Sequence, residues 1–420
     1  MTRIYIIRHA EAEGNLYRRI HGWYNSLVTE KGLKQITALS ERFRDIHLDA
    51  VYSSDLYRTK TTAGALYKPK NLELHTTRQL REVNMGAWED HTWGEIARTD
   101  PERLHLFDTG SAQWQAPDGD SFESLRKRMV EAIFRIAKNH PGETVAAVSH
   151  GTAILSMLTC FHGLPMEEMF QVGHCDNTGV SCLEVDGENV TIVFENDNSH
   201  LDEKISTFAG QSWWKKSGKK EDANLWFRPL DLDTEAEFYY ESRKDAWVSI
   251  HGSLLYFDGD GFLRDAREHA KHDRRAVMAA MQGDHPAGLV QMDFQRDAEK
   301  GVGGIPFCYM KPEHRRKGLG VQLLGQAVST YRPMGRTYLR LRCAPDNEVA
   351  QRFYQRHGFR KVAEEQGSRV PLDIMEKYIG YERTWEPGSG WEPGSGWEPG
   401  SGVAETPSSS SSSERTPSPA

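Results

Sequence analysis

The chain has 420 residues, a length that suggests about two or three domains, and its 38% hydrophobic and 27% charged residues suit packed cores rather than disorder. A formal net charge of −8, with no long Lys/Arg stripe in the body of the sequence, gives no footprint for nucleic acid. No run approaches the roughly 20 apolar residues of a membrane-spanning helix. No apolar signal core follows Met1, and the five cysteines are an odd number spread over a long chain, so the expectation is a reduced, cytoplasmic protein that does not cross a membrane.

The β-rich runs Ile4–Ile7, Ala50–Ser53, Thr144–Val148 and Val190–Phe194 alternate with longer helical stretches, the pattern of an α/β sandwich over residues 1–204. Two of these runs lead into a histidine, His9 and His150. Residues 205–222 turn to Gly, Ser and Lys, and their basic run, Lys215 to Lys220, reads as a solvated linker rather than a dock for an acidic partner. A second α/β pattern opens at Leu225-Trp226-Phe227-Arg228 and fills 223–384. Residues 385–420 repeat Trp-Glu-Pro-Gly-Ser-Gly three times and then run into polyserine, which predicts a disordered tail; Trp391 and Trp397 are docking anchors only on a weaker reading.

Arg8 and His9 follow directly on a strand and so reach the carboxyl end of a sheet, where open α/β folds bind ligands. Asn15, Arg58, Glu82 and His150 add groups of matching chemistry downstream. The run Arg8-His9-Ala10-Glu11-Ala12-Glu13-Gly14-Asn15 resembles the Arg-His-Gly signature of the histidine phosphatase superfamily, in its phosphoglycerate-mutase-like branch, with Ala10 in place of the usual Gly. Supporting matches are Gly22-Trp23, Thr29 to Gly32, Ser53 to Arg58, the Glu82 block ending Gly86-Ala87-Trp88-Glu89, Ser149-His150-Gly151, and Asn196-Asp197 with His200-Leu201.

Phosphoryl transfer spreads charge over three equatorial oxygens, so fixed donors around them supply most of the catalysis. Arg8, Arg58 and His150 suit that task, with Asn15 and the backbone near Gly151 completing the cradle. His9 is the expected nucleophile, kept neutral by the two guanidiniums, while His150 is expected to titrate with it as a coupled pair. Glu82 is the expected general acid and then base. This chemistry calls for no metal, and Cys160, His162, His174 and Cys175 fit no common zinc spacing. Mutase transfer is the rival reaction, and Pro117 to Ser121 resembles an element of the phosphatase members, which favours hydrolysis.

Residues 305–332 read as a strand, a basic Gly-containing turn and a helix, which aims free N–H groups and a helix dipole at one spot. With Asn347 and Phe353-Tyr354 leading to Gly358-Phe359, this stretch resembles the GNAT family of acetyl-CoA-dependent N-acetyltransferases. The resemblance implies that Arg315, Arg316, Lys317, Gly318, Leu319, Gly320 and Val321, with Asn347, bind the cofactor, and that Tyr354 protonates the leaving thiolate. The strand Gly301 to Tyr309 offers no Asp or Glu as a base.

The sequence therefore predicts two α/β domains, a phosphoglycerate-mutase-like αβα sandwich and a GNAT-like fold, followed by the tail. The expected protein is bifunctional: a phosphatase for a small phosphorylated metabolite, joined to an acetyltransferase that takes acetyl-CoA and an amine. A second domain that only binds CoA, as a sensor or scaffold, is the alternative.

Overall fold

In the computed structural model the described residues are 1–209, 223–367 and 370–381; the Lys215 to Lys220 run and the repeats from 385 onward lie outside them. The first sheet grows from β1 (Thr2–Arg8), whose two-residue period buries Ile4 and Ile6 in one core and Ile7 in another. After it come α1 (Glu13–Tyr17), α2 (Glu30–Arg42), β2 (Ala50–Ser53), α3 (Tyr57–Tyr67), β3 (Leu74–Thr76), α4 (Trp93–Thr99), α5 (Pro101–Asp108) and α6 (Phe122–Asn139). Then follow β4 (Thr144–Ser149), α7 (Gly151–Phe161), β5 (Val180–Asp186) and β6 (Asn189–Asp197). The strand order is β3-β2-β4-β1-β5-β6, with β1, β2, β3 and β4 mutually parallel and β5 antiparallel to β1. Helices α6 and α7 cover the Ile4/Ile6 face and α2 and α3 the Ile7 face, which makes the expected αβα sandwich.

All four sequence-predicted runs fall inside β1, β2, β4 and β6. Residues 205–209, read from the sequence as the opening of the linker, instead fold back on this domain. Thr207 is buried, donates through Oγ1 to Glu11 Oε2 at 3.1 Å and accepts from Gln35 Nε2 at 3.0 Å. This hydroxyl satisfies polar groups of Glu11 and Gln35 that the first domain buries, which a short polar stretch does not reveal in sequence.

The second sheet comprises β7 (Trp226–Pro229), β8 (Val277–Gln282), β9 (His285–Asp293), β10 (Val302–Met310), β11 (Tyr338–Cys343), β12 (Arg360–Gln366) and β13 (Pro371–Tyr378). Its helices are α8 (Ala236–His251), α9 (Gly259–His272), α10 (Val321–Tyr331) and α11 (Glu348–Arg356). In the order β12-β13-β11-β10-β9-β8-β7, only β10 and β11 run parallel. They pair from Val302 to Ile305 and lose their ladder beyond it, while a bulge between Gly304 and Phe307 bends β10 against β9.

The two domains meet where α10 lies on α1. Tyr17, from the first domain, is 1% exposed and belongs to the second domain's core beside Leu323 and Leu324. Gly325 makes the approach possible, since a Cβ there would come 2.5 Å from Tyr17 Cβ. A helical Gly→Ala change ordinarily gains up to about 1 kcal/mol, whereas overpacking costs about 1–3 kcal/mol. Gly325→Ala should therefore lower stability by up to about 2 kcal/mol in urea unfolding; greater stability would mean that α10 is not seated on Tyr17.

Candidate functional site

Parallel pairing of Arg8 with Ser149 places the next residues, His9 and His150, side by side with ring centroids 5.2 Å apart. Strand β2 ends level with them and delivers Ser54, whose Oγ lies 2.9 Å from His150 Nε2. His9 Nδ1 is 2.7 Å from the Ala10 carbonyl, an arrangement that assigns the ring proton to Nδ1 and leaves the Nε2 lone pair free. Asn177 Nδ2 fixes the backbone by donating to His9 O at 2.9 Å.

Arg58 is fully buried at the start of α3, where its guanidinium donates to the carbonyls of Tyr24 at 2.9 Å, His21 at 3.1 Å and Gly22 at 2.7 Å. Arg8 donates through Nη1 to Cys175 O, while its Nε and His150 Nδ1 are buried without a partner. A Cβ at Gly151 would come 3.2 Å from Arg8 Nε, so glycine keeps this side of the guanidinium clear. Asn15 Oδ1 accepts from Ala12 N at 3.1 Å.

Glu82 sits at the N-terminus of α7: Oε1 accepts from Val83 N and Ala153 N, and Oε2 from Thr152 N, at 2.9–3.0 Å. Every partner is a donor. Oε2, with a single N–H on it, keeps a lone pair for another proton.

Burial, followed by the charges of Arg58 and Arg8, pushes His9 well below the ordinary histidine range. Burial, Arg58 and His9 do the same to His150. Arg58 is lowered by burial to about 10 and stays cationic at neutral pH. A phosphoryl dianion is the charge that would reverse the lowering of His150.

Three supporting residues carried no sequence signal of their own role. Ser54 orients His150. Glu89 accepts from the N–H groups of Gly22, Trp23, Tyr24 and Met85, which shapes the loop that holds Arg58. Arg128, on what reads as a solvated helix face, donates to the carbonyls of Gln79, Arg81 and Glu82 and so holds the Glu82 segment. His21 and Tyr24 stack at 4.6 Å, and His21 is buried against Asp90. His162 pairs with Glu195, and among the described residues no group of three or more His, Cys, Asp or Glu side chains is arranged to hold a metal.

In the second domain the turn after β10 places Arg316 at φ 60° and Gly318 at φ 77°, a concave backbone of the kind that binds anions. Among the described residues, the N–H groups of 316–320 meet no acceptor, and buried Leu319 and Val321 anchor the turn to the core. Two expected cofactor contacts are otherwise engaged: Arg315 pairs with Asp245 of α8, and Asn347 Oδ1 caps α11 by accepting from Ala350 N at 3.2 Å. Asn347 also lines a groove of about 310 Å³ with Ser249, Ile250, Glu348 and Arg352. Tyr354 lies against the thiols of Cys308 and Cys343, on the strands that part. Burial and then these thiols push its hydroxyl well above the usual tyrosine range, so it keeps its proton. Sequence reasoning found no acid on β10; the fold supplies Asp245, which accepts from the Tyr309 hydroxyl at 3.0 Å.

Because His9 and His150 are lowered on folding, the unfolded chain binds more protons than the folded one below about pH 6.5. Stability should be complete above that pH and fall beneath it by about 1.4 kcal/mol per pH unit for each histidine. Urea unfolding at stepped pH should show this slope, and a double His9→Gln, His150→Gln variant should lose it. An identical slope in the variant would contradict the electrostatics given above.

A family model for the histidine phosphatase superfamily (branch 1) matches residues 4–198, and one for the acetyltransferase (GNAT) family matches residues 236–359. Phosphoserine phosphatase 1 of Hydrogenobacter thermophilus is 29% identical over 203 residues, which cover 48% of this chain and 96% of that protein. The metal-independent phosphoserine phosphatase of Arabidopsis thaliana is 32% identical over 207 residues, 48% of this chain and 84% of that protein. The probable phosphoglycerate mutase GpmB of Salmonella arizonae is 29% identical over 206 residues, 48% and 96% respectively. The chain thus belongs to the histidine phosphatase superfamily, and it carries a GNAT acetyltransferase family domain in the same polypeptide.

Proposed function

We propose that the first domain hydrolyses a small phosphomonoester through a phosphohistidine on His9. The observation that carries this reading is the free Nε2 of His9 beside two buried, unpartnered groups, Arg8 Nε and His150 Nδ1. Arg8, Arg58 and His150, with Asn15 and the N–H of Gly151, hold the phosphoryl oxygens. His9 Nε2 attacks phosphorus, the P–O bond to the ester oxygen breaks, and Glu82 supplies the proton that the leaving alkoxide needs. Glu82 then takes a proton from water, whose oxygen attacks phosphorus as the P–N bond breaks, and His9 returns with phosphate released. No step uses a metal, in keeping with the metal-independent relative.

The phosphoserine phosphatases among the relatives support water as the final acceptor and make phosphoserine the first ester to try. Mutase transfer to a second hydroxyl, suggested by the GpmB relative, is the competing reaction. The five cysteines are free thiols, which supports a reduced, cytoplasmic setting.

For the second domain the proposal is acetyl transfer from acetyl-CoA to an amine. The unpaired N–H groups of 316–320 suit the CoA pyrophosphate, and Tyr354, protonated between the parted strands, suits the leaving sulfur. The amine nitrogen bonds the acetyl carbon as the C–S bond breaks, Tyr354 gives its proton to the departing sulfur, and the proton lost by the acylated nitrogen passes to solvent, from which Tyr354 is reprotonated.

His9→Ala should abolish hydrolysis of an aryl phosphate and remove the acid-labile phosphoenzyme trapped on rapid quench; retained turnover would refute the mechanism. Gly318→Glu adds a charge and strains a left-handed position, so calorimetry should show CoA affinity reduced at least about tenfold. Unchanged affinity would remove the second assignment.

A further inference from the structure

The loop 13–27 supplies the carbonyls of His21, Gly22 and Tyr24 that hold Arg58 in place. Much of what fixes this loop comes from the other domain. Arg332, directly after α10, makes two bonds to Glu13 at 2.8 and 2.9 Å, with the two side chains only 7% and 4% exposed. Glu13 in turn accepts from Leu27 N at 3.0 Å, so one carboxylate ties both ends of the loop to Arg332.

Two further contacts cross the same boundary. Ser329 donates to Asp90 Oδ2 and accepts from Arg19 Nη2 at 2.8 Å, while Asp90 Oδ1 takes Arg19 Nε at 2.8 Å and His21 Nε2 at 3.3 Å. Tyr381, whose ring lies 5.3 Å from the Arg332 guanidinium, donates to Asn25 O at 2.6 Å. Asn25 Oδ1 accepts from the N–H of Tyr57, the residue before Arg58, at 2.7 Å. The chain of bonds from the second domain therefore ends on both the carbonyls and the backbone that set the Arg58 guanidinium.

We infer that Arg332, with Ser329 and Tyr381, forms a set of positioning residues for phosphoryl binding, so that the second domain completes the first domain's site. The inference rests on the phosphatase reading and adds to it a dependence on residues that the phosphatase relatives, matching only the first half of the chain, do not cover. Removing the Arg332 charge leaves Glu13 buried and unpaired, which frees the loop and loosens Arg58.

The test uses the full chain, with 4-nitrophenyl phosphate as substrate and inorganic phosphate as competitive inhibitor. Arg332→Gln should raise both KM and the phosphate inhibition constant about tenfold, and Ser329→Ala, which removes one hydroxyl, about threefold. A merely structural role would lower the active fraction, and so kcat, at unchanged KM and inhibition constant. That pattern in the variants overturns the inference. If Arg332→Gln does not fold, Ser329→Ala and Tyr381→Phe decide by the same two constants. A wild-type chain that hydrolyses no phosphate ester refutes the phosphatase reading itself, whereas an active wild type with unmoved variants refutes only the positioning role.

Discussion

Parallel pairing of β1 with β4, in the register that sets Arg8 opposite Ser149, is the constraint from which the first site follows. Because neither strand can slip by one residue without exchanging the side chains that fill the two cores on its opposite faces, the two imidazoles that come next are fixed beside each other. The first turn of α3 then adds a buried guanidinium and the end of β1 a second, half-buried one. Burial disfavours charge on the imidazoles, and the neighbouring cations disfavour it further. The pocket is thus a cluster of donors around one neutral lone pair, a surrounding that a phosphoryl dianion improves and a cation would worsen.

Much of this was legible in the sequence because the residues proposed to do the chemistry stand at strand ends, where β-rich runs such as Ile4 to Ile7 and Val145 to Val148 stop. His9, Arg8 and His150 could be placed in this way, and Arg58 and Glu82 followed from the family pattern. What the sequence hid was support at long range. Arg128 looks like any arginine on an amphipathic helix, yet it holds three carbonyls of the Glu82 segment. Ser206 and Thr207 look like linker and are buried. Tyr17 looks like part of the first core and instead packs into the second. In each case a single side chain meets a partner chosen by the fold, and no local periodicity encodes the meeting.

The joint between the domains gives α10 two neighbours. Its N-terminal end follows the turn proposed to hold the CoA pyrophosphate, and its C-terminal half, with Arg332 just beyond, braces loop 13–27. The helix is 11 residues long, or roughly 16 Å. Glycine at 325 lets it lie against Tyr17 without a gap. The same helix therefore carries packing against Tyr17, the terminus proposed to face an anion, and polar contacts to loop 13–27 and Asp90.

The most direct test of the central claim is a crystal structure of the protein soaked with orthovanadate, which mimics the phosphoryl group in flight. The expected result is a bond from vanadium to His9 Nε2, with Arg8, Arg58 and His150 on the equatorial oxygens and Glu82 facing an apical one. Vanadate bound elsewhere, or bound there with the His9 ring turned away, would contradict the account.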